Sequence, residues 1–512
     1  MAGIAASAAD HDQDELLLRH LRTTGRGFWL ALVILGSGSL WLATVFWLQI
    51  RNGHAITGQA SQGAIWGVVV ANIVNFIGVS HVGIAISAVV RLLQLERYRQ
   101  LARLAELVTL AAITTAVLNI AMDVGHPERF IVNVVWFGRW HSPFVWSATV
   151  ITTYVVGSSV YLYLAMRHDL GVCVTKVPRR AWFYRLLSLG YRDSIASRER
   201  HTRTVWWLAV IILPIMVSVH SVYGYIFGTQ AGRPGWYNPF QAPYFVLGAI
   251  GSGFSMVIVL LAILRKCFGW ETIYSPRLIK GLGIFLGFIT LLYVYFLGSE
   301  WLTGIYASPK AERQVFLDIL MGDYASITWT MIFGGMLFPF ALLFIQGVNT
   351  RISSVWLTAF AALLINVALW AARVLIVVPT YYHPLLPWDQ APYRPTFYEW
   401  SMVFGSFAVF GLLLLLLIKV VPVLELEEKR LERRPDESSS MPWWKMALIG
   451  FSLAGGVGLI ATGIALRDSP DLYHPSAIWI SGIVLLLSVP MQICVLPDIP
   501  IFGGGNYRKV TQ

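Results

Sequence analysis

The sequence predicts an all-α, polytopic membrane protein of about twelve transmembrane helices, and three observations predict it. Of its 512 residues, 56% are hydrophobic and 13% charged, with 21 Trp; an average soluble domain carries about 25% charged residues. The apolar residues fall into separate runs of about 20, the length a helix needs to cross a hydrocarbon core. These runs are rich in Gly and Leu and lack the polar and apolar alternation of an outer-membrane barrel, so each closes its backbone hydrogen bonds internally as a helix. The same composition, with 3 Cys and no Gly-X-Y period, excludes soluble, disordered, collagen-like and disulfide-stapled classes.

The spans run over 28–50, 64–90, 104–122, 143–166, 205–228, 243–264, 281–299, 325–347, 355–378, 400–420, 443–466 and 476–496. With the N-terminus inside, the inner segments hold 29 of the 38 Lys and Arg, the outer loops hold 8, and Arg373 lies within a span. This positive-inside pattern predicts cytoplasmic termini and a multi-pass protein of the bacterial or archaeal cell (inner) membrane. The net charge of +11 thus orients the chain and argues against a nucleic-acid partner.

Residues 1–27 are expected to form a cytoplasmic tail, whose DHDQDELLLRH stretch (10–20) lacks the positive start of a secretory signal. Residues 28–420 form a ten-helix core. Residues 421–442, ending KRLERRPDESSSMP, form a charged cytoplasmic linker, 443–496 a C-terminal helix pair and 497–512 a cytoplasmic tail. In the longest inner loop, 167–204, Trp182, Phe183, Leu186 and Leu187 can share a helix face opposite Arg185 and Arg192. That pattern suits an interfacial helix and equally a solvated basic loop. Cys173, Cys267 and Cys494 are expected to be reduced and unpaired, and no Cys cluster offers a zinc or iron–sulfur site.

Ionisable groups are costly in a bilayer, so those within or at the ends of spans are the first functional candidates. The third span carries Thr115, Asn119 and Asp123 on one face, with Asp123 about 30 Å beyond Arg103. The seventh carries Tyr293 and Glu300. The ninth aligns Asn366, Trp370 and Arg373, Arg373 lying about 33 Å from Arg351. Glu399 begins the tenth. A single acid at an outer boundary is explained by snorkelling to water, whereas the set together points to a shared pocket in the outer third. His81 lies about 15 Å above Arg91, near the midplane. Small Gly78, Ala85 and Ala88 share its helix face, although a core histidine bonded to a neighbouring carbonyl is the plainer alternative. His220 follows Pro214 and falls in the outer half. Two histidines could in principle ligate haem, but these depths differ.

Imidazole and carboxylate groups reachable from the lipid suit a lipid-soluble substrate that exchanges protons. Quinol is such a substrate: its oxidation gives up electrons together with protons, and its ring oxygens need hydrogen-bond partners and proton acceptors. His81 and Asp123 are the candidate catalytic residues, with Asn119, His220, Glu300, Arg373 and Glu399 as further quinone-binding candidates. No metal site is expected. The chain offers no redox centre of its own, so a partner subunit must supply one.

The runs SHVGIAISAVVRLLQ (80–94), MDVGHPERF (122–130), RWHSPFVWS (139–147), SVHSVYGYIFG with AGRPGWY (218–237), QAPYFVLGAIGSGFSMV (241–257) and PTYYHPLLP with PTFYEW (379–400) occur in an order that resembles the polysulfide reductase membrane-subunit family (NrfD/PsrC type). The chain is similar also to the quinol-oxidising membrane subunits of alternative complex III. The resemblance spans roughly residues 28–420. It implies a subunit of two four-helix bundles without haem or iron–sulfur cluster, binding quinone or quinol (menaquinone or ubiquinone) near the positive side of the membrane. It also implies an iron–sulfur electron-transfer partner, accompanied by a molybdopterin-type or multihaem cytochrome subunit. His81 in SHVG and Asp123 in MDVGHPERF match the family's quinone-site histidine and acid.

The function so implied is electron exchange between the quinone pool and the iron–sulfur partner of a respiratory oxidoreductase, with room for proton translocation. Ser147 stands where the family often has an acid, and the fifth span, 205–228, carries no carboxylate, departures that count against a proton route of the alternative complex III kind. The last two spans, 443–466 and 476–496, exceed the family's usual count. Two rival classes stay open. A secondary transporter suits twelve helices, although the acids crowd one end and no inverted repeat is evident. A purely structural anchor predicts intact turnover after changes at His81 or Asp123.

Overall fold

Apolar runs without a continuous polar stripe can be buried on every side, and in the computed structural model one of them, residues Val68–Leu92, becomes the axis of the protein. The structure describes residues 18, 20–59, 63–95, 98–139, 141–191, 193–349, 352, 354–386, 388, 390–424, 443–466 and 475–495. Among them there is no strand. In chain order the helices are α1 Arg26–Asn52, α2 Val68–Leu92, α3 Arg99–Val124, α4 Pro127–Phe137, α5 Pro143–Lys176, α6 Ala181–Leu187, α7 Ile195–Gly228 and α8 Gln241–Phe268. They continue with α9 Pro276–Tyr306, α10 Lys310–Met321, α11 Ala325–Val348, α12 Val355–Val377, α13 Phe397–Val420, α14 Trp443–Ala465 and α15 Pro475–Val495. Among the described residues eleven helices are long and apolar enough to cross a membrane; the twelfth expected span, α15, has a shorter apolar stretch, Ile478–Ile493. The chain is an all-α, multi-pass membrane protein.

Helices α2, α3, α5 and α7 form one four-helix bundle and α8, α9, α11 and α12 a second, joined where α8 packs on α2 and α7. Small residues let the backbones approach. A Cβ at Gly83 would lie 2.0 Å from the Ala105 carbonyl oxygen on α3, and one at Gly253 would lie 2.3 Å from the Cβ of Val82. Either addition would force helices apart whose attraction in lipid rests on close packing. In α11 a π-helical segment, Thr330–Leu337, precedes Pro339, whose nitrogen has no hydrogen to donate and whose ring crowds the carbonyl one turn back, which the wider turn relieves.

The other helices are applied to this core. Helices α1 and α13 pair and cover α3. Helix α14 packs chiefly on α15, which lies against α4, α5 and α7. Between α14 and α15, Gln492 donates to Ser452 at 2.8 Å and to Ser488 at 3.0 Å, a polar clasp in an otherwise apolar contact. The sequence treats 167–204 as an inner loop, yet α5 continues to Lys176 and α7 starts at Ile195. The extension is held by its own polar groups: Arg167 donates to the Ser188 carbonyl at 3.0 Å, and Asp169 accepts from Arg103 at 2.5 Å. Between them α6 exposes Trp182 and Leu186, and the buried hydroxyl of Tyr184 donates to the Val420 carbonyl at 2.9 Å. Burial pushes that hydroxyl up to about 12. Arg192, the tails 1–17 and 497–512 and most of the 421–442 linker lie outside the described residues.

Candidate functional site

A cavity of about 420 Å³ lies among α2, α3, α4, α5 and α7 at the end of the bundle opposite the arginine-rich connections. Asp123, on the last turn of α3, lies in its wall and accepts from Gln59 Nε2 at 3.2 Å. The remaining wall is apolar, aliphatic side chains such as Val70, Ile73 and Ile151 alternating with Trp66, Phe130, Phe144 and Phe227, while Tyr223 and Ser147 add hydroxyls. Phe144 and Val117 are also exposed on the flank of the bundle, so the cavity opens sideways, toward lipid. Volume and lining are those of a site for a flat, largely apolar ligand with one acidic contact.

A second cavity, about 510 Å³, lies deeper, at the seam between the bundles. His81 and His220 form its polar corner. The sequence places them at different depths; the structure brings their rings together edge to face, with centroids 4.4 Å apart, because α2 and α7 pack directly on each other. Rings in contact leave no gap for a macrocycle between them. His81 also stacks on Tyr154 at 4.3 Å and 5°. Its Nδ1 donates to the Ile77 carbonyl, so the neutral ring presents Nε2 as an acceptor. The Met216 backbone also lies beside the ring; Nε2 has no hydrogen-bond partner, and neither nitrogen of buried His220 has one.

The two cavities lie at different depths. Asn72 on α2 bonds Asn119 on α3 at 2.9 Å, which marks a common level. His81 is nine residues from that level in one direction and Asp123 four in the other, a separation of about 20 Å along the bundle at 1.5 Å per residue. One quinone ring cannot touch both.

The other candidates lie in neither cavity wall. Asn119 is fixed between Asn72 and Ser406, which donates to it at 3.0 Å. Glu300 is buried in the second bundle and accepts from Asn238 at 3.1 Å and Gln241 at 2.9 Å, beside a void of only about 20 Å³. Arg373 donates to Asn75 Oδ1, the Leu369 and Gly248 carbonyls and Ser252 Oγ, at 2.7 to 3.1 Å. Glu399 closes a capping box with Thr396 and accepts from Tyr393 at 2.7 Å and the Gly58 N–H at 2.8 Å. Burial and that carboxylate hold the Tyr393 hydroxyl well above its ordinary range.

Sequence reasoning passed over three groups. Gln59 fixes Asp123 from a short turn with no motif. Tyr154 pairs with His81 by a stack that no spacing reveals. At the arginine-rich end Glu106 accepts from Arg103 at 2.7 Å, Arg91 at 3.1 Å and Ser87 at 2.5 Å. A signal for the last group existed: Glu106 sits inside an apolar run, three residues after Arg103. Among the described residues, no group of three or more His, Cys, Asp or Glu is placed to hold a metal ion.

These features define a class: a multi-pass helical membrane protein with lateral cavities that carry a carboxylate in one and paired imidazoles in the other. Residues 57–385 match the family described as polysulphide reductase, NrfD, and the chain belongs to that family. A protein of Halobacterium salinarum, provisionally named as a membrane subunit of dimethyl sulfoxide reductase, is 32% identical over 68% of this chain and 76% of its own length. A selenate reductase subunit of Mesobacillus selenatarsenatis is 24% identical over 75% of this chain and 91% of its own. The Hdr-like menaquinol oxidoreductase integral membrane subunit of Archaeoglobus fulgidus is 26% identical over 70% and 85%.

Proposed function

We propose that this chain is the quinone- or quinol-binding integral subunit of a multi-subunit respiratory oxidoreductase, and that the ring reacts in the outer cavity against Asp123. The observation that carries the proposal is the placement of Asp123: a carboxylate in the wall of a lipid-facing, apolar cavity of about 420 Å³ with several aromatic rings in its lining. The named relatives support it, since one is called a menaquinol oxidoreductase subunit and two are called subunits of reductases.

In this account Asp123 Oδ1 is steadied by Gln59 and the carboxylate takes a proton from a quinol hydroxyl, while Tyr223 and Ser147 supply hydroxyls for ring oxygens. The apolar wall, with Trp66, Phe130, Phe144 and Phe227 among its side chains, holds the ring and excludes water. Electrons leave to an iron–sulfur partner docked at the same end, accompanied by a molybdopterin-type or multihaem cytochrome subunit. The arginine-rich connections face the cytoplasm, which places Asp123 near the positive side. Glu300, Arg373, Glu399 and Asn119 hold the helices in register rather than touch the ring.

A second reading has its own support. The acceptor Nε2 of His81 and both nitrogens of His220 have no donor or partner in the seam cavity, so a ring hydroxyl could dock there. Quinol oxidation by the assembled complex decides between them. Asp123→Asn is expected to cut turnover further than His81→Ala; the reverse order assigns the ring to the seam cavity, and wild-type rates in both variants leave a structural anchor.

A further inference from the structure

A third cavity, about 320 Å³, lies at the arginine-rich end of the first bundle, among the ends of α2, α3, α5 and α7. Its walls carry Arg91, Arg99, Arg103, His168 and His201. Two carboxylates oppose them. Asp169 accepts from Arg103 at 2.5 Å, and Glu106 behind it accepts from Arg103 and Arg91 at 2.7 and 3.1 Å. A third carboxylate, Asp193, lies 3.9 Å from His168 Nδ1 and is itself held by Arg198 at 2.7 Å, so among the described residues guanidinium groups still outnumber carboxylates before either imidazole is protonated.

The histidines give the second observation. His201 is 9% exposed and His168 8%. Neither nitrogen of His201 makes a hydrogen bond, although its ring lies near the Leu164 carbonyl. His168 engages Tyr191 through Nδ1 at 3.1 Å, and its Nε2 has no partner. Buried polar nitrogens left without partners are costly, so a ligand that accepts hydrogen bonds in this cavity would repair a defect built into the wall.

The remaining lining shows how such a ligand arrives. Val90, Leu95, Val205 and Trp206 form an apolar side, and Trp206 is 41% exposed at the bundle surface. Val90 and Leu95 also line the seam cavity, so an apolar groove continues from the basic pocket toward mid-membrane. A basic head pocket with an apolar track is the form a phospholipid fits, and basic pockets between helices on the cytoplasmic side attract anionic head groups. From this geometry we infer that the pocket binds the phosphate of an anionic phospholipid, with His201, His168 and Arg99 donating to it and an acyl chain lying along Val90 and Leu95.

The test uses the full chain with its partner subunits in nanodiscs that contain phosphatidylglycerol and phosphatidylcholine. Native mass spectrometry should show phosphatidylglycerol retained over phosphatidylcholine. His201→Leu with Arg99→Gln should reduce that preference about tenfold, the worth of roughly one charge-assisted hydrogen bond. A photoactivatable phosphatidylglycerol on the wild-type protein guards against a variant that fails to fold. It should label the segments around Leu95–Arg103 and His201–Trp206; labels spread evenly over lipid-facing helices would overturn the inference. Inorganic phosphate at millimolar concentration should not displace the lipid. Displacement, or equal retention of the two lipids, would make the pocket a free-anion site and overturn the lipid assignment.

Discussion

The two bundles are built from the same materials, and the site candidates in each meet different surroundings. In the second, Glu300, Arg373 and Asn366 are each matched by side chains or carbonyls of neighbouring helices, and the void beside Glu300 is about 20 Å³. In the first, Asp123 has Gln59 on one side and an open cavity on the other, while His220, in the wall of the seam cavity, has no hydrogen-bond partner at either nitrogen. A buried polar group that is fully bonded stabilises a helix arrangement; one left facing a cavity costs free energy until a ligand meets it. On the proposed function, the difference separates groups that hold the fold from groups that meet the substrate.

The largest expected effect follows from that contrast. Asp123→Asn keeps the shape but removes the proton acceptor, and should lower quinol turnover about a hundredfold, within the usual range for a general base. Glu300→Gln should leave turnover near wild type in the same assay, and an equal loss in both variants would dissolve the distinction between the bundles. Next, Glu300→Gln should instead lower thermal stability by about 1–3 kcal/mol, because one new N–H must face the donors Asn238 and Gln241. Gln59→Leu should weaken quinol turnover less than Asp123→Asn does, since it loosens the carboxylate without removing it.

The smallest effect lies outside the membrane and serves as a control. Asp193 is held below the usual carboxylate range by two hydrogen bonds of 2.7 Å from Arg198. A depressed folded-state pKa stabilises the fold above the unfolded-state value, and that gain disappears as pH falls through the folded-state value. Asp193→Asn should therefore cost about 0.2–1 kcal/mol at neutral pH, given its partial exposure, and nothing in strong acid. Denaturant melts at the two pH values check it.

The spans, the helical class and the family were legible because apolar length and residue order are local properties. The stripe Thr115, Asn119 and Asp123 was legible for the same reason, but not its division of labour. Asn119 is tied to Ser406 from far along the chain, and only packing shows that it is bonded while Asp123 faces a cavity. Glu399 looked like one more boundary acid, although the spacing of Thr396 and Glu399 already carries a capping-box pattern. The short helices α4 and α10 escaped because neither is long enough to span. The contact of His81 with His220 depends on how α2 meets α7, which no one-dimensional rise can supply.

The placement of the ring in the outer cavity is tested most directly by a photoactivatable quinone analogue, cross-linked to the assembled complex and mapped by peptide mass spectrometry. The account predicts labels in Val117–Phe130, Phe144–Thr152 and Tyr223–Phe227, abolished by excess quinol. Labels confined to the second bundle around Tyr244 and Tyr293, or to the seam cavity around Met216 and His220, would contradict it.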